Sequence, residues 1–363
     1  MATTQAPRLP ASMPAAVYRG SGEVAVEDRP VPQPGAGEVL VEVGHCGICG
    51  SDLYLIGENL GSPGTVMGHE YSGVVAALGE GVTGWAVGDE VVGGPAPRCG
   101  QCRRCLEGQP SQCEVRRRVM TDHDGAFARF ILVDARALVR VPEGLGRREA
   151  ALAEPLAVAL HGITRSHIRL GDTAMVMGAG PIGALTVAAL LARGFGPVAV
   201  VEPAPPRKAL ARALGAEVLE PGDLPTYPLW EPEQMSPLAV DVVLECSGRK
   251  AAMEAGFHQL RRGGHMVLVG AGMEPPTFDP NRMLLNELTV TGAFVYDADG
   301  FDRALELLAT PGAIPTELLI EAEDIGLDRV GQAVRQLAAG ETAGKVMVAP
   351  GLALGAHPTP QEA

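Results

Sequence analysis

Four cysteines fall within fifteen residues, as Cys99-Gly-Gln-Cys102-Arg-Arg-Cys105 and then Cys113. That spacing lets four thiolates reach one tetrahedral ion, and a closed zinc site with four cysteine ligands matches it. An iron–sulfur cluster also takes four cysteines, but zinc is the better match. Such an ion would staple a loop too polar to fold alone, and it leaves no coordination position for a substrate. Its role is structural. The neighbouring Arg116-Arg117-Arg118 run reads as a solvated face.

A second constellation is Asp172-Thr-Ala-Met-Val-Met-Gly-Ala-Gly-Pro-Ile-Gly183, an apolar run into G-x-G-x-x-G and then a helical stretch. Gly178 permits a tight turn, Gly180 lets the backbone approach a pyrophosphate, and Gly183 allows close helix–strand packing. Pro181 and Ile182 belong to the same cofactor-binding turn, and the helix that follows offers its free N–H groups to the phosphates. Glu202 follows nineteen residues after Gly183, at the end of the next apolar strand. A carboxylate there can accept from both ribose hydroxyls and repels a 2′-phosphate. NAD is therefore expected, with NADP the lesser expectation because Arg207 and Lys208 follow soon after.

The third set is His45-Cys-Gly-Ile-Cys-Gly-Ser-Asp52 with Gly68-His-Glu-Tyr71. It places Cys49, His69 and Glu70 in the strand-rich first third, outside the cysteine lobe. With G-D-E-V at Gly88–Val91 and E-P-L at Glu154–Leu156, the chain resembles the zinc-dependent medium-chain dehydrogenase/reductase family over nearly its whole length. It is close to the family's sorbitol, threonine and other secondary-alcohol dehydrogenases. The resemblance implies a catalytic zinc held by Cys49, His69 and Glu70, with Glu154 either coordinating the ion or holding its water. Asp52 would orient the ligating histidine, and Ser51 would pass the substrate proton onward. Cys46 would be a small buried residue. Such a zinc lowers the pKa of a bound alcohol while a nicotinamide takes the hydride.

Two positions depart from the family. Tyr54 stands where many relatives carry the histidine of a proton relay, and its hydroxyl could hand a proton on only with a different pKa. Val295, in Phe294-Val-Tyr296, replaces the arginine that helps sorbitol dehydrogenases hold the polyol. A less polar secondary alcohol or a biosynthetic intermediate is the better expectation.

These residues need elements to position them. The first third has short strands, Val39–Val43, Ser72–Ala76 and Phe130–Val133, broken by Gly, Pro and Asp, which suggests a partly antiparallel barrel. From about Glu149 the pattern turns helical and then alternates. Val198–Val201, Val240–Leu244 and His265–Val269 are strands, and Arg207–Leu214 and Ala251–Leu260 helices, implying a parallel sheet covered on both faces. Pro221–Pro237 reads as a surface loop. Phe301–Leu308 and Asp328–Ala339 read as helices and Lys345–Val348 as a closing strand. The expected fold class is α/β: a Rossmann doubly wound sheet plus a GroES-like, partly open β-barrel. The barrel domain would take residues 1–155 and 298–363, with its zinc lobe at about 95–115, and the dinucleotide domain residues 156–297.

Length and composition agree. The chain has 363 residues, 46% of them apolar, enough for two domains, and a net charge of −14 that disfavours nucleic acid as a partner. The cations are nearly all arginine; only Lys208, Lys250 and Lys345 are lysines. The first residues lack the order of a signal peptide. Residues 173–192 are uncharged and long enough to cross a bilayer, but their clustered glycines fit strand, turn and helix better. A cytoplasmic protein without membrane contact is expected, acting on a small alcohol or ketone as a homodimer or homotetramer. The rivals are a reductase of a C=C, C=N or carbonyl group, and a non-enzymatic NAD-binding redox sensor.

Overall fold

The structure is a computed structural model, and it describes residues 9–94, 99–115, 123–228 and 230–355. The Arg116–Arg118 run lies outside them. The strands are β1 (Ser12–Gly20), β2 (Glu23–Pro30), β3 (Glu38–Gly47), β4 (Glu70–Leu78), β5 (Glu90–Gly93), β6 (Phe130–Asp134) and β7 (Val139–Arg140). They continue with β8 (Ala174–Met177), β9 (Val198–Val201), β10 (Glu217–Leu219), β11 (Val240–Glu245), β12 (Leu260–Leu268), β13 (Thr289–Gly292) and β14 (Met347–Val348).

Two larger sheets follow from these strands. The first is antiparallel, in the order β14-β3-β4-β5-β7, with β6 also paired to β3. With the β1–β2 hairpin it surrounds a core of Tyr18, Leu40, Val41, Met67 and Phe127. The second runs β10-β9-β8-β11-β12-β13 and is parallel throughout. That is the doubly wound order, which opens a crevice at the carboxyl ends of the strands where the order reverses. Its strands are Val-rich because both faces are buried.

The glycine cluster at 178–183 does split its apolar run, into β8 and the helix Pro181–Ala192. Among the described residues no helix is long and apolar enough to cross a membrane. Several boundaries differ from the sequence reading, three of them for a visible reason. The helix expected to reach Leu260 ends at His258, and β12 begins at Leu260, which is fully buried and pairs with Val240. Gly263, at φ +72°, bends the chain there, so periodicity alone could not carry the strand back past it. The closing strand is only Met347–Val348, because β3 pairs with just those two residues.

The C-terminal stretch is shared between the two sheets. The helix Gly300–Ala309 packs Phe301, Ala304 and Leu305 into the cluster that holds Leu156 and Leu160 of the helix Ala153–Arg165. Beyond it, Ile325, Val330, Val334 and Val348 join the barrel core.

Candidate active site

β3 ends at Gly47, and the helix Gly50–Gly57 starts just after Cys49. Asp52 makes that turn: its Oδ2 accepts from the Cys49 main-chain N–H at 2.9 Å. The start of β4 supplies Glu70, with His69 directly before it. Ligand atoms of Cys49, His69 and Glu70 therefore lie within 4.8 Å of one another. The packing is tight. A Cβ on Gly47 would strike the Glu70 carboxylate and stand 2.9 Å from the Lys345 side chain.

The donor set fits a metal ion. Burial, then the Glu70 carboxylate, pushes the Cys49 thiol well up, while the Lys345 ammonium opposes them. His69 Nδ1, Asp52 Oδ1 and Ser51 Oγ are buried with no hydrogen-bond partner among the described residues. Asp52 Oδ1 is 4.0 Å from His69 Nδ1, facing it but beyond hydrogen-bond length. Glu154 stands outside the converging group. Burial raises its pKa to about 7, with His69 opposing and Glu70 adding to the shift. A Cβ on Gly94 would stand 3.0 Å from Glu154 and 2.6 Å from the Tyr296 hydroxyl, so glycine makes room for both.

The sequence reading did not include Lys345 in the site. Its ammonium donates to the Ile48 carbonyl at 3.0 Å and to Glu70 Oε1 at 2.8 Å. A signal was present, since a chain that uses arginine for nearly every cation spends a lysine on Gly-Lys-Val-Met-Val. The compact ammonium fits a buried space that a guanidinium would not.

The cysteine lobe also converges. Cys99 Sγ is 3.9 Å from Cys105 Sγ and 3.6 Å from Cys113 Sγ, and Cys102 Sγ is 4.0 Å from Cys113 Sγ. A tetrahedron of zinc–sulfur bonds of about 2.3 Å has edges of about 3.8 Å. The four sulfurs match it. Main-chain N–H groups of Glu114 and Cys105 lower the Cys102 thiol to about 6, while burial raises Cys105 to about 12. No cysteine is in a disulfide among the described residues.

At the nucleotide turn, Gly178 has φ +92°, and a Cβ on Gly183 would strike the Gly178 carbonyl. Gly180 caps the helix that Pro181 and Ile182 begin, and no backbone crowds its Cβ position. Glu202 is turned inward: Oε2 accepts from Ala179 N at 2.7 Å and Oε1 from Ala204 N at 2.8 Å. It braces the turn as well as lying beside it. The Arg207 guanidinium is 3.8 Å from the Cβ position of Gly180, but it donates to the Leu337 and Thr342 carbonyls. Lys208 pairs with Glu220 at 2.8 Å.

The Tyr54 hydroxyl is 3.0 Å from the Cβ position of Gly248, on the loop after β11. Val295 has φ +52°, a rare conformation for a β-branched residue.

Comparison with known proteins adds to this geometry. Residues 35–143 match the alcohol dehydrogenase GroES-like domain, and residues 181–310 match the zinc-binding dehydrogenase domain. The chain is 36% identical to a 2-dehydro-3-deoxy-L-galactonate 5-dehydrogenase of Pseudoalteromonas atlantica, over 82% of this chain and 87% of that one. It is 34% identical to a sorbitol dehydrogenase of Bacillus subtilis, over 86% and 90%. A zinc-binding dehydrogenase from Sinorhizobium meliloti, solved with NADP, superposes with a TM-score of 0.82 at 31% identity, covering 94% of this chain and all of that one.

Proposed function

The chain belongs to the zinc-dependent medium-chain dehydrogenase/reductase family, and from that premise we propose how its residues divide the work. It is a zinc-binding, NAD(P)-dependent alcohol oxidoreductase for polyol-like substrates. We read it as oxidising a secondary alcohol to a ketone. The carbinol carbon gives a hydride to the nicotinamide, and the hydroxyl proton leaves toward Ser51 and Tyr54. The single observation that carries this is the buried convergence of Cys49, His69 and Glu70.

Those three residues would hold the catalytic zinc, which supplies a Lewis acid for the alcohol oxygen. Asp52 fixes the turn that presents Cys49 and faces His69. Glu154, kept poised between its two protonation states by burial, stands ready to hold a proton beside them. Val295 leaves an apolar wall where an arginine would grip a polyol, which supports a substrate with fewer hydroxyls. Cys99, Cys102, Cys105 and Cys113 would take a second, structural zinc.

NAD is favoured over NADP by Glu202 and by the engagement of Lys208 with Glu220. The β14–β3 pairing supports a discontinuous catalytic domain, residues 1–155 and 298–363, around a cofactor domain at 156–297. A homodimer or homotetramer is supported by the open edge of β13 and the exposed Leu284, Leu285 and Phe294 nearby. Seven cysteines with no disulfide among the described residues favour a reducing compartment such as the cytoplasm.

The test is a screen of secondary alcohols, polyols and ketones with NAD and NADP, followed by the absorbance of the reduced nicotinamide. Turnover of secondary alcohols with NAD is expected. No hydride transfer to or from any of them, with zinc and cofactor bound, would overturn the reading in favour of a redox sensor. Reduction of C=C or C=N compounds alone would point to the reductase.

A further inference from the structure

Glu245 ends β11 as a fully buried carboxylate with no role in the site described above. Its partners among the described residues all come from the turn that follows. Oε1 accepts from the Ser247 main-chain N–H at 2.8 Å and from the Ser247 hydroxyl. Both oxygens accept from the Gly248 N–H, at 3.0 and 3.1 Å. No cation offsets the charge in this set. Burial raises the carboxyl pKa against these bonds, so the arrangement is costly and should have a use.

The turn it builds is wedged between two halves of the reaction. On one side, a Cβ on Gly178 would stand 2.8 Å from the Ser247 Cβ, so Ser247 rests directly on the first glycine of the cofactor turn. On the other, Gly248 has φ +68°, and a Cβ there would stand 3.0 Å from the Tyr54 hydroxyl. Tyr54 rides on the helix that begins after Cys49 and carries Ser51 and Asp52. A third side is closed by Gly270 and Gly272, whose Cβ atoms would strike the main chain of Gly248. Nothing larger than hydrogen fits at these contacts, so a shift of the turn is transmitted and not absorbed.

We propose that Glu245 is a positioning residue for hydride transfer: by fixing Ser247 and Gly248 it sets the spacing between the cofactor turn and the segment that carries Cys49, Ser51 and Tyr54. The inference rests on the dehydrogenase reading. A small misplacement at such a junction costs turnover out of proportion to its effect on folding.

The experiment compares zinc-loaded full-length protein with Glu245→Gln and Ser247→Ala. The readouts are kcat, KM for NAD, the isotope effect with a carbinol-deuterated alcohol, NADH affinity by fluorescence, zinc content and Tm. The amide of Glu245→Gln can keep its oxygen toward Ser247, but its NH2 group then faces the Gly248 N–H, donor against donor. We expect kcat to fall about tenfold, with a larger isotope effect and weaker NADH binding, at unchanged zinc content. Ser247→Ala should move the same quantities in the same direction by about threefold. A folded Glu245→Gln protein with kcat and NADH affinity both at parental values would overturn the proposal. If that variant does not fold, Ser247→Ala decides on the same criterion. If the parent oxidises no alcohol, the dehydrogenase reading has failed instead, and NADH affinity alone still judges the role of Glu245 at the cofactor turn.

Discussion

Lys345 Nζ lies 2.7 Å from Glu70 Oε2, and both side chains are buried, across 275 residues of sequence. The pair closes a charge balance in which Cys49, Asp52 and Glu154 also crowd the same space. Burial alone would lower the lysine pKa, but Glu70 foremost, and then Cys49 and Glu154, raise it.

Removing the ammonium leaves that carboxylate uncompensated. Lys345→Met should destabilise the metal-free protein by about 3–5 kcal/mol. Adding Glu70→Gln should recover a substantial part, and a double-mutant cycle from urea unfolding gives the coupling. Additive losses would show that the two groups are independent.

The two zinc sites should separate by mutation. Cys49→Ser is expected to abolish alcohol oxidation and lose one zinc per chain, with Tm nearly unchanged. Cys102→Ser should lose the other zinc and unfold at a lower temperature, because the lobe has little apolar core of its own. Elemental analysis beside calorimetry checks both. One zinc or fewer per fully active chain would contradict the scheme.

Glu202 accepts two main-chain N–H groups, and in the proposed reading it also faces a 2′-phosphate. Glu202→Ala should therefore weaken NADH binding itself, by about tenfold, because the turn that receives the pyrophosphate loses the carboxylate that braces it. The preference for NAD over NADP should shrink at the same time. If NADP binding improved while NADH binding held steady, the carboxylate would be acting by charge alone.

For Glu154, replacement by Gln keeps the shape and removes the titrating proton. A fall in kcat of about a hundredfold is expected, with NADH affinity within about twofold of the parent. Unchanged kcat would remove this residue from the chemistry.

Much of this was legible from residue types alone. The glycine turn and the four-cysteine lobe declare themselves because each needs an unusual residue at every position: φ +92° at Gly178, and four sulfurs around one point. Helix and strand ends were less legible. Leu260 extends an apolar helical pattern, and only its pairing with Val240 makes it a strand residue. The contacts that cross between sheets were least legible. Lys345 with Glu70, and Tyr54 with Gly248, depend on how distant segments pack, which no local spacing encodes. Glu202 shows a third limit. Its position was readable, whereas the two main-chain donors that turn it inward were not.

The pairing of Met347 and Val348 with Cys46 and Gly47 also fixes an order of maturation during synthesis. β8 to β13 follow one another along the chain, so the parallel sheet has all its strands once Gly292 has left the ribosome. The antiparallel sheet has most of its strands far earlier but waits for its last one. At about 5–20 residues per second, Lys345 emerges about 14–55 s after Glu70, given the 275 residues between them. Throughout that interval the nascent carboxylate has no ammonium, and a metal ion captured then would meet a site with one more negative charge than the finished one. The part of the enzyme that is made first is completed last.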